Sequence, residues 1–246
     1  MNEKHNLLGE SYKNLYSDYY QNKSHTVSKR EISALQTTDT IGKIFNQLSI
    51  KKLIDVGAGE GSVLNNLFKR SVAQELHAVE ISESGVQAIA AKNILPITNI
   101  HLFDGYKIPY SDKFFNVAIS VQVLEHVEHE RLFLQEIKRV SDSVFIEVPL
   151  EHGFKIKRSI ESGKKYGHIN FYTIDTLKSM MESSGMKVIH YGVVAPSLQY
   201  EQHISGRVKG LLKNSFRKTM LKIFPSLAPW MLSYIGYVYC DCNSNS

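Results

Sequence analysis

The chain is poor in cysteine: Cys240 and Cys242 are the whole complement in 246 residues. With nothing elsewhere to pair or ligate, they build neither a disulfide framework nor a cysteine-based zinc site, and a reducing cytoplasm is expected. Two apart on a strand, they point to one face, so buried packing is their expected role. Long apolar runs are missing too. None approaches the ~20 residues that a membrane-spanning helix needs. The opening Met1-Asn-Glu-Lys-His-Asn-Leu-Leu8 lacks the basic-then-apolar order of an export signal. No internal repeat or low-complexity tract stands out beyond a short polar tail, Asn243 to Ser246. The most local absence is acidic. No Asp or Glu stands between Gln202 and Cys240, while Arg207, Lys209, Lys213, Arg217, Lys218 and Lys222 all do. What remains, 43% hydrophobic and 22% charged, suits a globular protein with one core and a small lid.

Periodicity then divides the chain. Residues Asn6–Tyr20 and Thr37–Leu48 read as helices, the second spacing Ile41, Ile44, Phe45 and Leu48 at helical intervals. Past residue 50, short apolar strands alternate with helices. The strands expected are Lys52–Val56, Leu76–Ile81, Ile100–Phe103, Val117–Val121 and Val144–Val148. The helices between them are Ser62–Arg70, Ser84–Ala91 and Glu130–Val140. Helix Ile174–Ser184 follows, then strands Lys187–Val194 and Gly236–Asp241. Such alternation implies right-handed crossovers and a mostly parallel α/β sheet. One domain is expected over 1–246. Residues 1–50 form a helical lid, 51–194 a nucleotide-binding core, 195–232 a basic helical insertion, and 233–246 the last strand and tail.

The informative segment is Leu53-Ile-Asp-Val-Gly-Ala-Gly-Glu-Gly61. A strand delivers Asp55 and then Gly57, Ala58, Gly59 and Gly61 into the start of a helix. Glycine admits positive φ and a close backbone approach to a ligand. Glu80 closes the next strand, where a carboxylate can accept both hydroxyls of a ribose. Asp104, followed by Gly105, closes the third and could accept from an adenine amino group. All lie at the carboxyl ends of the strands, where open α/β sheets bind ligands. Each acid alone could be an ordinary turn residue, but the ordered set points to a nucleoside. The spacing Gly57-x-Gly59-x-Gly61 is not the dinucleotide fingerprint, and no triphosphate loop is present.

These residues resemble the class I S-adenosylmethionine-dependent methyltransferase family. The likeness continues through Phe114-Phe-Asn-Val117, Val123-Leu-Glu-His-Val127 and Glu136-Ile-Lys-Arg-Val140, covering roughly Lys51 to Val194. It implies a Rossmann-like seven-stranded sheet with helices on both faces and a final antiparallel hairpin split by the insertion. It implies S-adenosylmethionine as cofactor, with the glycine loop at the methionine part. Glu80 and Ile81 would bind the ribose and Asp104 and Gly105 the adenine, while Val121 and Gln122 line the pocket. Asn116 stands where many relatives carry Asp, in an expected surface turn.

Methyl transfer from a sulfonium needs alignment and exclusion of water, and a hydroxyl acceptor must also lose its proton. Glu125 and His126, past the fourth strand, and His168, in Tyr166-Gly-His-Ile-Asn-Phe-Tyr-Thr173, are the candidates. Three readings stay open. His126 is a general base; or Glu125, His126 and His168 hold a divalent metal; or the pair shapes the pocket. The metal reading resembles the small-RNA 2′-O-methyltransferases and some quinone-biosynthesis O-methyltransferases. Gln122 replaces a Glu of that motif, so the non-metal readings are preferred. His129 and His152 receive no role.

Tyr12, Tyr16, Tyr19 and Tyr20 are expected to form a lid over the cofactor, or else a helix docked on the sheet edge, and segment His25-Thr-Val-Ser-Lys-Arg-Glu31 to reach the cofactor's carboxylate or the acceptor. In the insertion, Ile204–Phe224 reads as a basic amphipathic helix carrying Val208, Leu211, Leu212, Met220 and Ile223. Its apolar stripe is expected to pack on the enzyme with the cations solvated, and peripheral membrane contact is the alternative. The expected acceptor is a hydroxyl, or an amine, of a small molecule, glycan or lipid-linked precursor. The alternatives are an RNA 2′-O-methyltransferase, disfavoured because no RNA-binding module is visible, and a cofactor-binding protein without turnover. A nicotinamide oxidoreductase is disfavoured by the glycine spacing.

Overall fold

In the computed structural model, residues 24–94, 96–163 and 166–243 are described; the expected helix Asn6–Tyr20 and its tyrosines lie outside them. Seven strands form one sheet: β1 (Lys52–Val56), β2 (Glu75–Glu80), β3 (Ile100–Leu102), β4 (Phe115–Val121), β5 (Ser141–Leu150), β6 (Lys187–Val194) and β7 (Tyr234–Asp241). Their order is β3-β2-β1-β4-β5-β7-β6. Strands β1 to β5 pair in parallel, while β7 runs antiparallel to β5 and β6. This is the expected Rossmann-like sheet with its closing hairpin. The order reverses direction between β1 and β4, which opens a crevice at the carboxyl ends of those strands.

The helices are α1 (Ser24–Phe45), α2 (Ser62–Lys69), α3 (Glu83–Ala91), α4 (Glu130–Val140), α5 (Ile156–Gly163) and α6 (Ile174–Ser183). The insertion adds α7 (Leu198–Ser205), α8 (Arg207–Ile223) and α9 (Ala228–Met231). Side-chain alternation along the strands feeds two cores, one on each face. Ile54, Val56, Ala118, Val144 and Ile146 pack with Phe133, Ile137, Leu177 and Met181, and the buried Cys240 and Cys242 join them as free thiols. Leu53, Val117, Ile119 and Phe145 pack instead with Ile41, Phe45, Leu64, Leu67 and Ile89.

Two expectations change. Asn116 lies in β4 rather than in a surface turn, and its Oδ1 accepts from the amides of Lys51 and Lys52, both at 3.0 Å. A neutral amide oxygen therefore locks the start of β1 to β4. The insertion is the second. Gly206, at φ +81°, breaks the expected helix into α7 and α8. Of the expected apolar stripe, only Met220 packs on the body. Gly210 and Asn214 are buried, with Arg217 and Leu221 half-buried in line with them, while Val208, Leu211, Leu212 and Ile223 face out. Asn214 Nδ2 donates to the Pro196 carbonyl at 2.7 Å, and the Tyr234 hydroxyl donates to the Arg217 carbonyl at 2.9 Å. Gln36 of α1 pins the start of the insertion by donating to the Ala195 carbonyl and accepting from the Ser197 amide.

Gly210 carries the closest part of this docking. A Cβ there would lie 2.5 Å from the backbone nitrogen and Cα of Gln202. Alanine in a helix interior ordinarily gains about 1 kcal/mol over glycine. Gly210→Ala is expected instead to lose about 1–3 kcal/mol to overpacking in urea unfolding. A rise in stability would show that α7 and α8 do not need this approach.

Candidate active site

The loop after β1 closes onto β2, with the amides of Gly57 and Ala58 both donating to the Val79 carbonyl. Gly57, Gly59 and Gly61 have φ of +80°, +60° and +76°, so the loop bends where L side chains would be strained. A Cβ on Gly57 would also lie 2.6 Å from Val123. Glu80, at the end of β2, is buried and accepts from the Gly59 amide at 2.7 Å and the Ser82 amide at 3.1 Å. Burial raises its pKa, and those two hydrogen bonds oppose the rise. Sequence reasoning missed Gly85, in the first turn of α3. A Cβ there would lie 2.7 Å from Glu80 Cγ and 2.8 Å from the Gly59 carbonyl. Its signal was a glycine three residues past the Ser82 cap.

A cavity of about 760 Å³ opens over these strand ends. Gly57, Ala58, Gly59, Glu80, Ile81, Gly105, Val121 and Gln122 line it. Asp55, Gly61 and Asp104 stand apart from its wall. Asp55 is buried behind it, its carboxyl pushed up to about 8 by burial and by the charge of Glu80. Gly61 caps α2 in the left-handed conformation. Asp104 spends Oδ1 on the amides of Tyr106 and Lys107, at 2.9 and 2.7 Å, and so shapes the turn that presents Gly105. Lys29 and Arg30 of α1 reach the wall, and Arg30 pairs with Glu60 at 3.1 Å beside the glycine loop.

Opposite the loop lie the three chemical candidates. Leu124–His126 form a single 3₁₀ turn after β4. Segment 166–170 returns over it because the amides of Ile169 and Asn170 donate to the Glu125 carbonyl, and Asn170 Nδ2 donates to those of Leu124 and Val127. His126 Nδ1 lies 3.0 Å from the Gly167 carbonyl and His168 Nδ1 lies 2.8 Å from a Glu151 carboxylate oxygen. Each partner accepts, so both rings donate from Nδ1, and the neutral His126 ring keeps its lone pair on Nε2. The rings meet edge to face with centroids 4.9 Å apart. Glu125 Oε1 stands 3.9 Å from His126 Nε2, and one ligand atom from each of Glu125, His126 and His168 lies within 4.8 Å of the others. Burial, then the charge of His168, holds His126 down at about 4. Burial, then the charges of Glu151 and Glu147, pushes Glu125 up to about 8.

Sequence reasoning missed Glu147. It sits in the middle of β5 on the cavity wall, accepts from the Thr37 hydroxyl at 2.7 Å, and is raised to about 7 by burial. A lone acid inside the apolar run Phe145-Ile-Glu-Val148 was the available signal. Gln122, at φ +56°, turns its amide to within 3.5 Å of Glu147, away from the role of a further ligand beside His126.

A glycine cradle beside an amide-anchored carboxylate, at the switch point of a Rossmann-like sheet, defines a nucleoside-cofactor enzyme site. The match of residues 28–191 to the methyltransferase-domain model places the chain in that family. It is 28% identical over 115 residues to YrhH of Bacillus subtilis strain 168, which bears a provisional methyltransferase name. It is 23% identical over 175 residues to the biotin biosynthesis bifunctional protein BioHC of Teredinibacter turnerae. The matches take in 45% and 65% of this chain but only 64% and 31% of those two relatives. Among solved structures, geranyl diphosphate C-methyltransferase from Streptomyces coelicolor superposes with a TM-score of 0.65 at 11% identity. That superposition covers 95% of this chain and 98% of that one.

Glu80→Ala should weaken S-adenosylhomocysteine binding about 100-fold in calorimetry, as expected for losing two charge-assisted hydrogen bonds to a ribose. Unchanged affinity in the folded variant would remove Glu80 from the cofactor site.

Proposed function

We propose that the chain is an S-adenosylmethionine-dependent methyltransferase whose acceptor is a hydroxyl oxygen of a small molecule, glycan or lipid-linked precursor. When bound, the cofactor supplies a methyl group already activated on a sulfonium sulfur. The chain's residues supply the rest. Gly57, Ala58 and Gly59 give a backbone surface that a ligand can approach closely, and Glu80 offers an anchored carboxylate for ribose hydroxyls. The wall contributed by α1 and the insertion covers the strand ends and limits water.

The observation that carries the oxygen-acceptor reading is the orientation of His126. Its Nδ1 proton is fixed on Gly167, which turns the Nε2 lone pair toward Glu125. That lone pair is where an acceptor proton would be taken up. A second reading, a divalent cation held by Glu125, His126 and His168, is favoured by a different observation. Among the described residues, neither Glu125 carboxyl oxygen accepts a hydrogen bond from another residue, although the group is almost wholly buried. A cation there would offset the burial penalty on that carboxylate, and both imidazoles are oriented by partners behind them. A cation would also acidify an acceptor hydroxyl.

Glu125 gives a pH test. Its folded pKa of about 8 lies above its ordinary 4.5. Stability tied to its proton is therefore complete below about 4.5 and is lost as pH rises through about 8. In chelator-treated protein, Glu125→Gln should match wild type near the acid end and melt higher than wild type near pH 8. Added Mn²⁺ or Zn²⁺ should then raise the Tm of wild type but not of Glu125→Gln if the trio holds a cation. No shift in either protein sinks the metal reading.

A further inference from the structure

The insertion leaves an uncovered surface. Helix α8 docks through Gly210, Asn214 and Leu221, so its opposite side faces away from the body. At the centre of that side, Val208, Leu212 and Ile223 are 72%, 65% and 59% exposed. Phe224, Leu227 and Trp230, in and before α9, are likewise exposed and extend the apolar surface. Charges border this strip at helical spacing. Arg207, Lys218 and Lys222 flank one shoulder of α8, and Lys209 and Lys213 the other. No acid occurs from His203 to Cys240 to neutralise them.

We propose that this face of α8, with the loop that follows, docks the protein on an anionic lipid bilayer. An interfacial helix buries an apolar strip at the headgroup boundary and sets long cations along its edges, where their stems reach anionic headgroups. The observed arrangement has that form, and its complement is a surface that is apolar beneath and negative at its rim. A second copy of the same face would bring five cations of α8 against five, with no acid between them. A nucleic acid would meet aliphatic side chains where phosphate-binding groups are needed. If the methyltransferase reading holds, docking also places the acceptor. Ile204, Lys213 and Arg217 belong to α7 and α8 and line the cavity, so its acceptor end adjoins the bilayer-facing unit.

The test is co-sedimentation of the full chain with vesicles of phosphatidylglycerol and phosphatidylcholine, and with phosphatidylcholine alone, at low and high salt. Expected are strong binding to the anionic vesicles at low salt, loss at high salt, and weak binding to neutral ones. Leu212→Glu/Ile223→Glu and Lys209→Glu/Lys218→Glu, at residues off the cavity wall, should each reduce partitioning about tenfold or more. Their S-adenosylhomocysteine affinity and Tm should stay at wild-type values. Wild type that remains in the supernatant at low salt would overturn the proposal. So would vesicle binding that both double variants retain, or a lipid-free dimer that Leu212→Glu/Ile223→Glu dissociates while vesicles do not bind. Vesicle binding without S-adenosylhomocysteine binding would support the docking surface and sink the methyltransferase reading instead.

Discussion

The Glu80 carboxylate accepts from amides on two separate loops, Gly59 after β1 and Ser82 before α3, and much of the site is arranged by that pairing. The glycine loop must fold back far enough for Gly59 to reach β2, which requires positive φ at alternate residues. Helix α3 must begin close enough that Gly85 cannot carry a side chain. The carboxylate is thus oriented before any ligand arrives, so a nucleoside meets an acceptor that needs no reorganisation. Asn116 does comparable work one step back, by holding the start of β1 on β4.

Six buried acids border or back this one cavity; Glu60 and Glu201 are paired with Arg30 and Arg217, while burial raises the pKa of the other four, Asp55, Glu80, Glu125 and Glu147. Of those four, Glu80 and Glu147 receive strong donors from the described residues. The part of the cavity wall formed by Glu80, Glu125 and Glu147 therefore favours positive charge. A cationic guest would relieve part of the desolvation that these carboxyls bear, and a neutral or anionic one would not. A sulfonium cofactor and a divalent metal are both guests of the favoured sign.

The glycine loop, Glu80, Gly105 and the seven strands were legible because each rests on local spacing: a strand, then a turn, then a helix. The groups that were not legible act across the chain. Glu147 is recruited by Thr37 from a helix 110 residues earlier. Asn170 matters because it bridges carbonyls on the turn that carries His126. The insertion shows the limit most clearly. Hydrophobic periodicity said that α8 has an apolar face but not which face meets the protein. Gly210 allows backbone contact and Asn214 satisfies the Pro196 carbonyl, so the side that carries them docks and the side of Val208, Leu212 and Ile223 does not.

Strand β7 lies between β5 and β6, yet Tyr234–Asp241 leaves the ribosome after both. Until it arrives, β5 presents eight residues of unpaired edge, Ser143 to Leu150, and β6 has no neighbour in the sheet at all. The nascent protein must therefore carry an open, apolar sheet edge through synthesis of the whole insertion, a period of exposure that an ordinary meander avoids. The sheet is complete only once β7 is in place, and Cys240 of β7 and Cys242 just after it are then sealed into the core.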